Sequence, residues 1–454
     1  MNYKLEDCLK YADETKDLIL KEDALVEIPR LLKDNYDFDS VCIIADENTY
    51  RVAGEKAENI ILSAGINISG KHIFPAEPRL NAEYEHIRFL KKWLPSLPSY
   101  PRIVPVAVGA GTLNDLVKRT SMELELGYFC VPTASSVDGF TPNGASLLMD
   151  GFKQTLPCPA PRALAVDTDI IAKAPAYLNS SGFGDLASKI IAGTDWIIAD
   201  MASSLEAPEA HKILPIAWDM VQNGLIDVLQ RSIDAHKGDK NAVSLLFEKL
   251  AITGLAMQYM KNSRPVSGTE HLFSHVWEME GLKVNGVPVT HGHKVGIGTL
   301  SATAFTEIFF KDPNAPPLPS PSFKRPSLEE RRAEVSAAFK DSRAHDKIII
   351  EAEAKYMDNK KAEAITELFK DSWKEIRTKV LERMIPYSEL KAMLQKAGCP
   401  VVPEEIGIKR DYAIATARRA QMIRCKYCIL DLSWDMGNFA PILAEIENSS
   451  QYLY

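Results

Sequence analysis

The sequence predicts an α/β protein, with an N-terminal Rossmann-like parallel-sheet domain over residues 1–172 and an all-helical C-terminal domain over 173–454. Three observations predict it. In the first part of the chain short apolar runs alternate with amphipathic stretches, as strands buried on both faces do when helices lie between them. After about Lys173 long helical periodicities take over. One of the apolar runs also passes directly into a glycine turn and a helical pattern, the order of a nucleotide-binding strand, turn and helix.

Taken in order, Val41-Cys-Ile-Ile-Ala-Asp46, Asn59-Ile-Ile-Leu-Ser63 and Ile103-Val-Pro-Val-Ala-Val-Gly109 read as buried parallel strands. Tyr128-Phe-Cys-Val131 reads as the next strand, and Arg162-Ala-Leu-Ala-Val-Asp167 as a further member of the same sheet. The helical patterns run from Phe183 to Met201, Ile216 to Ala235 and Val243 to Met260. The stretch 311–326 is rich in proline and must be extended, a connector or surface arm, because proline supplies no backbone N–H for a helix or central strand. The charged stretch from Leu328 to Lys361 reads as a solvated helical pair.

Composition narrows the function. A net charge of -8 argues against a nucleic-acid or anionic-membrane partner. The first ten residues carry both charge signs and no apolar core of a signal peptide, and no apolar run approaches the length of a membrane span. The seven cysteines fit unpaired thiols in a reducing compartment, so a cytoplasmic enzyme with a small-molecule substrate is expected. Cys425-Lys-Tyr-Cys428 has no second pair in reach and reads as packing.

The chemistry concentrates in three places. In Val106-Ala-Val-Gly-Ala-Gly-Thr-Leu-Asn-Asp-Leu116, Gly109 and Gly111 would let backbone amides approach a pyrophosphate, and a helix beginning near Thr112 supplies partial positive charge. This is not the Rossmann fingerprint, since Asn114 stands where the third glycine should be. The loop Pro132-Thr-Ala-Ser-Ser-Val-Asp-Gly139 follows the next strand, where Thr133 and Ser136 offer hydroxyls and Asp138 a carboxylate able to hold a substrate hydroxyl. Asp46, at another strand end, is placed to accept from a ribose hydroxyl; Asp46 and Asp138 are also what turn or cap residues look like.

Four of the nine histidines, His271, His275, His291 and His293, fall in one short region. His271 and His275 stand four apart on a helical pattern and share a face, and Ser267 with Glu270 has capping-box spacing. Asp185 is read in the first turn of a helix opened by Ser181-Gly-Phe-Gly, where the helix dipole would stabilise its carboxylate. Asp185 with His271 and His291 would make a one-carboxylate, two-imidazole set suited to a Lewis-acid metal; a dipole-stabilised cap and ordinary helix histidines are the plainer alternative.

These segments together resemble the sn-glycerol-1-phosphate dehydrogenases, bacterial branch, of the superfamily that holds dehydroquinate synthases and iron-containing alcohol dehydrogenases. The likeness rests on Gly109-Ala-Gly-Thr-Leu-Asn-Asp115, Pro132 to Gly139, Asp167-Thr-Asp-Ile-Ile171, Gly182-Phe-Gly-Asp185 with Asp195-Trp196, Glu270-His271 and His291-Gly-His-Lys-Val-Gly296, and resumes at Ala397 to Gly407 and Ile423 to Leu432. It implies a nicotinamide cofactor, NAD(H) or NADP(H), in a cleft between two domains, and one metal, zinc or nickel, on Asp185, His271 and His291. Lys189, where iron-dependent relatives often carry a histidine, argues against iron, and motif position favours His291 over His293 as the ligand.

The reaction so implied is reduction of dihydroxyacetone phosphate to sn-glycerol 1-phosphate, a step of phospholipid metabolism, with a homo-oligomer expected. Gly109, Gly111, Thr112 and Asp115 would hold the pyrophosphate, Thr133 and Ser136 would line the nicotinamide end, Asp138 would orient a substrate hydroxyl, and His275 would touch substrate, carry a proton or support the ligands. A glycerol-type polyol dehydrogenase and a lyase of the dehydroquinate synthase type are the alternatives on this fold. No phosphate motif separates the first of them by spacing alone.

Overall fold

A computed structural model describes residues 4–149, 152–207 and 211–453. Six strands form one parallel sheet: β1 (Asp17–Lys21), β2 (Ser40–Asp46), β3 (Ile68–Phe74), β4 (Ile103–Gly109), β5 (Phe129–Pro132) and, after a hairpin, β8 (Ala163–Asp167). Their order is β1-β8-β5-β4-β2-β3, with every neighbouring pair parallel. The central β2, β4 and β5 are apolar along their length because both faces are covered; Val41, Ile43, Val106, Val108, Phe129 and Val131 all belong to one core with Leu31, Leu32, Ala57 and Ile61 from flanking helices. From β2 the chain steps outward to β3, then crosses to the other side of β2 to form β4. This reversal opens a crevice at the carboxyl ends of β2 and β4, next to Asp46 and Gly109.

The expected strand at Asn59–Ser63 is instead the end of a helix, Glu55–Ser63. Its apolar run is a helix face plus spill-over: Ala57 and Ile61 point inward, whereas Leu62 is 51% exposed. The strand sits at β3, whose Ser69, Gly70, Lys71 and His72 are too polar to announce it and can be so because β3 is an edge. An antiparallel hairpin, β6 (Gly144–Met149) with β7 (Phe152–Pro157), was not expected.

By contact the chain divides into two compact units, Met1–Leu186 with Asp219–Asn262, and Ala187–Trp218 with Ser263–Tyr454. This grouping is discontinuous in sequence, whereas the expected division at 172/173 is a single cut. In the first unit the helix Lys240–Met260 lies close enough to the 138–142 segment that a β-carbon on Gly254 would meet Thr141 Oγ1 at 2.0 Å. The second unit is mostly helical, with a small two-stranded pairing of Lys283–Val284 and Val287–Pro288. Its 311–326 arm is neither helix nor strand; Trp373 Nε1 donates to Asp312 O (3.0 Å), Asn438 Nδ2 to Pro317 O (3.1 Å), and Arg325 pairs with Asp435 (2.9 Å). Helices Leu328–Ala338 and His345–Ala354 follow, as the charged pattern predicts. Among the described residues no helix is long and apolar enough to cross a membrane.

Candidate active site

The glycine turn lies where the sequence puts it. β4 ends at Gly109, Ala110 is extended, and the helix Gly111–Glu123 starts at once, with Thr112 in its first turn. Both glycines are needed for close approach: a β-carbon on Gly109 would stand 2.7 Å from Leu113 Cδ2, and one on Gly111 would stand 2.7 Å from Val137 Cγ1. Asp46, at the end of β2, forms a capping box over the short helix Glu47–Thr49, accepting the Thr49 N–H at 2.9 Å. Asp115 faces the hairpin, where its Oδ2 accepts the Ser146 N–H at 3.2 Å.

The loop after β5 is held from below. Thr133 donates its N–H to Gly109 O (3.2 Å), Asn114 Nδ2 donates to Gly139 O (3.0 Å), and the buried Lys118 Nζ donates to the carbonyls of Gly139, Pro142 and Gly144 at 2.9, 3.0 and 3.0 Å. Burial lowers the Lys118 pKa, and the carbonyl oxygens supply the polar partners a buried ammonium requires. Lys118 escaped the sequence reading; its signal is the spacing of four from Asn114, which puts both on one helix face.

From the other side the same loop is fastened to the helix Ala176–Ala187. Ser135 N–H donates to Asn179 Oδ1 (3.1 Å), Ser181 Oγ to Ser136 O (3.1 Å), and Asp138 N–H to Asp185 Oδ2 (2.9 Å). Asp185 is therefore in the last turn of this helix, not in the first turn of a later one, and helix-dipole stabilisation at an amino terminus does not apply. Ser181-Gly-Phe-Gly reads as a helix opening but lies inside the helix, where Gly182 packs so closely on Ser135 O that no larger residue fits. The helical pattern beyond it breaks only at Ser188, before the helix Lys189–Ala202.

The histidines stand on two helices, Thr269–Met279 and His291–Phe309. The capping box expected from Ser267 is absent: Gly268 is the cap residue, its N–H donates to Glu270 Oε1 (2.7 Å), and the Thr269 N–H donates to Asp195 Oδ2 (2.6 Å). Asp195 also accepts the Ile429 N–H at 2.9 Å. Burial, and for Asp195 the nearby Glu270 charge, push both carboxyls up to about 7. The two helices touch where a β-carbon on Gly298 would lie 2.3 Å from Glu270 O, which brings the His271 and His291 rings to a centroid distance of 5.3 Å.

Each of these imidazoles is oriented by a carboxylate. His271 Nδ1 lies 2.7 Å from Glu270 Oε1, and His291 Nδ1 lies 2.9 Å from Glu278 Oε1, which Lys294 Nζ also approaches at 3.1 Å. Glu278 was not singled out in the sequence, although seven residues after His271 is two turns along the same face. The ligand atoms of Asp185, His271 and His291 all lie within 4.8 Å of one another, and His293 is outside this group, with its pKa pushed down to about 4 by burial. His275 stacks edge-on at 6.1 Å from His271, with burial holding its pKa well below the usual range.

Residues 19–175 match the family model described as iron-containing alcohol dehydrogenase. The chain is 28% identical over 414 residues to the glycerol-1-phosphate dehydrogenase [NAD(P)+] of Bacillus velezensis, covering 91% of this chain and 90% of that protein. It is 30% identical over 323 residues to the protein of the same name from Geobacillus stearothermophilus, covering 71% and 69%. Its fold matches the crystal structure of a probable glycerol dehydrogenase from Sinorhizobium meliloti with a TM-score of 0.58 at 14% identity, over 96% of this chain and 99% of the other. The parallel sheet with a helical remainder is thus the iron-containing alcohol dehydrogenase fold, and the chain belongs to the glycerol-1-phosphate dehydrogenase family.

Proposed function

We propose that this chain reduces dihydroxyacetone phosphate to sn-glycerol 1-phosphate with NADH or NADPH, using one divalent metal, zinc or nickel, held by Asp185, His271 and His291. The observation that carries it is the gathering of one carboxylate and two imidazoles within 4.8 Å, with each imidazole steered by its own carboxylate. With Nδ1 set against Glu270 or Glu278, Nε2 is the ring nitrogen each histidine would offer a metal, and Asp185, whose Oδ2 accepts the Asp138 N–H, would supply the carboxylate. Three ligands suit a centre that must also receive substrate. The metal, when bound, supplies Lewis-acid polarisation of the ketone.

The remaining roles belong to the chain. The crevice between β2 and β4 takes the dinucleotide, with the pyrophosphate at Gly109, Gly111 and Thr112 and a ribose hydroxyl at Asp46, which favours the unphosphorylated ribose of NAD. Asp115, expected at the pyrophosphate, bonds the hairpin through the Ser146 N–H and ties the helix after that turn to it. Thr133 and Ser136 line the nicotinamide end, and Asp138 orients a substrate hydroxyl. His275, held neutral by burial, is a substrate contact.

The test is nicotinamide absorbance with dihydroxyacetone phosphate and metal-loaded protein. Steady oxidation of NADH is expected, with a product that an sn-glycerol-3-phosphate dehydrogenase does not oxidise. Asp185→Ala and His291→Ala should abolish turnover and leave NADH binding largely intact. Near-normal turnover by either variant in metal-free buffer would exclude the ligand set.

A further inference from the structure

The helix Arg410–Met422 runs antiparallel to the helix Thr269–Met279. Tyr412 bonds Glu280, Thr416 Oγ1 accepts from Trp277 Nε1 at 3.1 Å, and beyond the helix end Lys426 Nζ donates to Ser267 O at 2.8 Å and to Ser263 Oγ at 3.1 Å. In this register Arg424 falls between the levels of Trp277 and Ser267, beside the turn that carries His271 and His275. Arg424 is held there in the left-handed region, at φ 59°, which favours glycine over any residue with a β-carbon. The half-buried guanidinium pairs with no carboxylate among the described residues. Strained backbone, an uncompensated cation and a neighbouring imidazole Nδ1 with no hydrogen-bond partner among the described residues together describe a place for an anion.

We infer that Arg424 receives the phosphate of a phosphomonoester substrate, with Lys426 anchoring the turn that presents it, and so selects phosphorylated over unphosphorylated ketones. An arginine is suited to the task because its planar fork matches two phosphate oxygens at once. The inference rests on the reductase reading of the same site. It also accounts for how a chain without a glycine-rich phosphate loop for its substrate could distinguish dihydroxyacetone phosphate from dihydroxyacetone.

Two variants test it on the metal-loaded enzyme. In Arg424→Gln the ratio of kcat/KM for dihydroxyacetone phosphate to that for dihydroxyacetone should fall at least tenfold, carried by KM, and inhibition by inorganic phosphate should weaken in parallel. Arg424→Gly removes the left-handed strain, so its Tm should equal or exceed that of the parent while the same selectivity is lost; a purely structural arginine would not separate the two readouts. Arg424→Lys should recover part of the selectivity. Unchanged selectivity and unchanged phosphate inhibition in folded Arg424→Gln and Arg424→Gly would overturn the inference. Binding of inorganic phosphate to the parent and to Arg424→Gly, followed by calorimetry, keeps the question separate from the reaction: loss of binding in the variant supports the site even if the parent turns over neither ketone, and equal binding refutes it.

Discussion

Gly182 lies against the carbonyl oxygen of Ser135 so closely that a β-carbon on it would stand 1.7 Å from that oxygen. Gly182→Ala must therefore push the helix Ala176–Ala187 away from the loop that Asp185 helps to hold. A loss of about 3 kcal/mol in folding stability is expected, together with weaker divalent-metal binding, since Asp185 follows less than one turn later. Urea unfolding and metal titration of the purified variant would check both effects.

Glu278 accepts from His291 and pairs with Lys294 through one oxygen. Removing it in Glu278→Ala leaves His291 without a group that sets its tautomer and ring angle, which typically costs about 10–100-fold in metal affinity. Glu278→Gln keeps an acceptor and should fall between. Calorimetric titration with zinc measures this without reference to turnover, and an unchanged dissociation constant in Glu278→Ala would refute the role.

Lys118→Met preserves bulk but leaves the carbonyls of Gly139, Pro142 and Gly144 without their donor. Stranding buried carbonyls costs on the order of 3 kcal/mol in all. Because these carbonyls fix the loop beside the glycine turn, NADH should bind about tenfold more weakly, equivalent to about 1.4 kcal/mol. Fluorescence titration with NADH is the measurement.

Asp195 caps the helix that carries His271 and also accepts the Ile429 N–H. Asp195→Ala orphans both donors and should lower stability by about 2 kcal/mol. Asp195→Asn, which retains one acceptor oxygen, should lose less. Thermal unfolding of the two variants would rank them, and the reverse order would show that removing a buried acid outweighs the lost caps.

Much of the sheet and of the candidate site is legible in the sequence because burial on both faces writes itself as apolar runs. Val41–Asp46 and Ile103–Gly109 match β2 and β4 for that reason, and the expected run at Arg162–Asp167 falls on β8. The polar edge strand β3 carries no such run, β1 offers only Leu18-Ile19-Leu20, and the Ile60-Ile61-Leu62 run misleads because three apolar residues in a row fit a helix face and a strand alike. Asp185, His271 and His291 could be named from motif order, but not their supports. Glu278, Lys118 and Asp195 act through contacts with residues 13, 21 to 26 and 74 positions away, and a single sequence carries no record of those distances. The Ser267 cap failed because Asp195, a distant carboxylate, took the helix end that a local serine would otherwise have satisfied.

The loop Ser135–Gly139 is clamped twice, by Lys118 and Asn114 at its far end and by Asn179, Ser181 and Asp185 along its length. If the dinucleotide and the ion sit as proposed, ordering one edge of such a strap would stiffen the other, and the entropy lost when the dinucleotide settles would already be spent when the ion arrives at Asp185. Thermodynamic reciprocity then requires that whatever factor the nucleotide adds to ion affinity, the ion returns to nucleotide affinity.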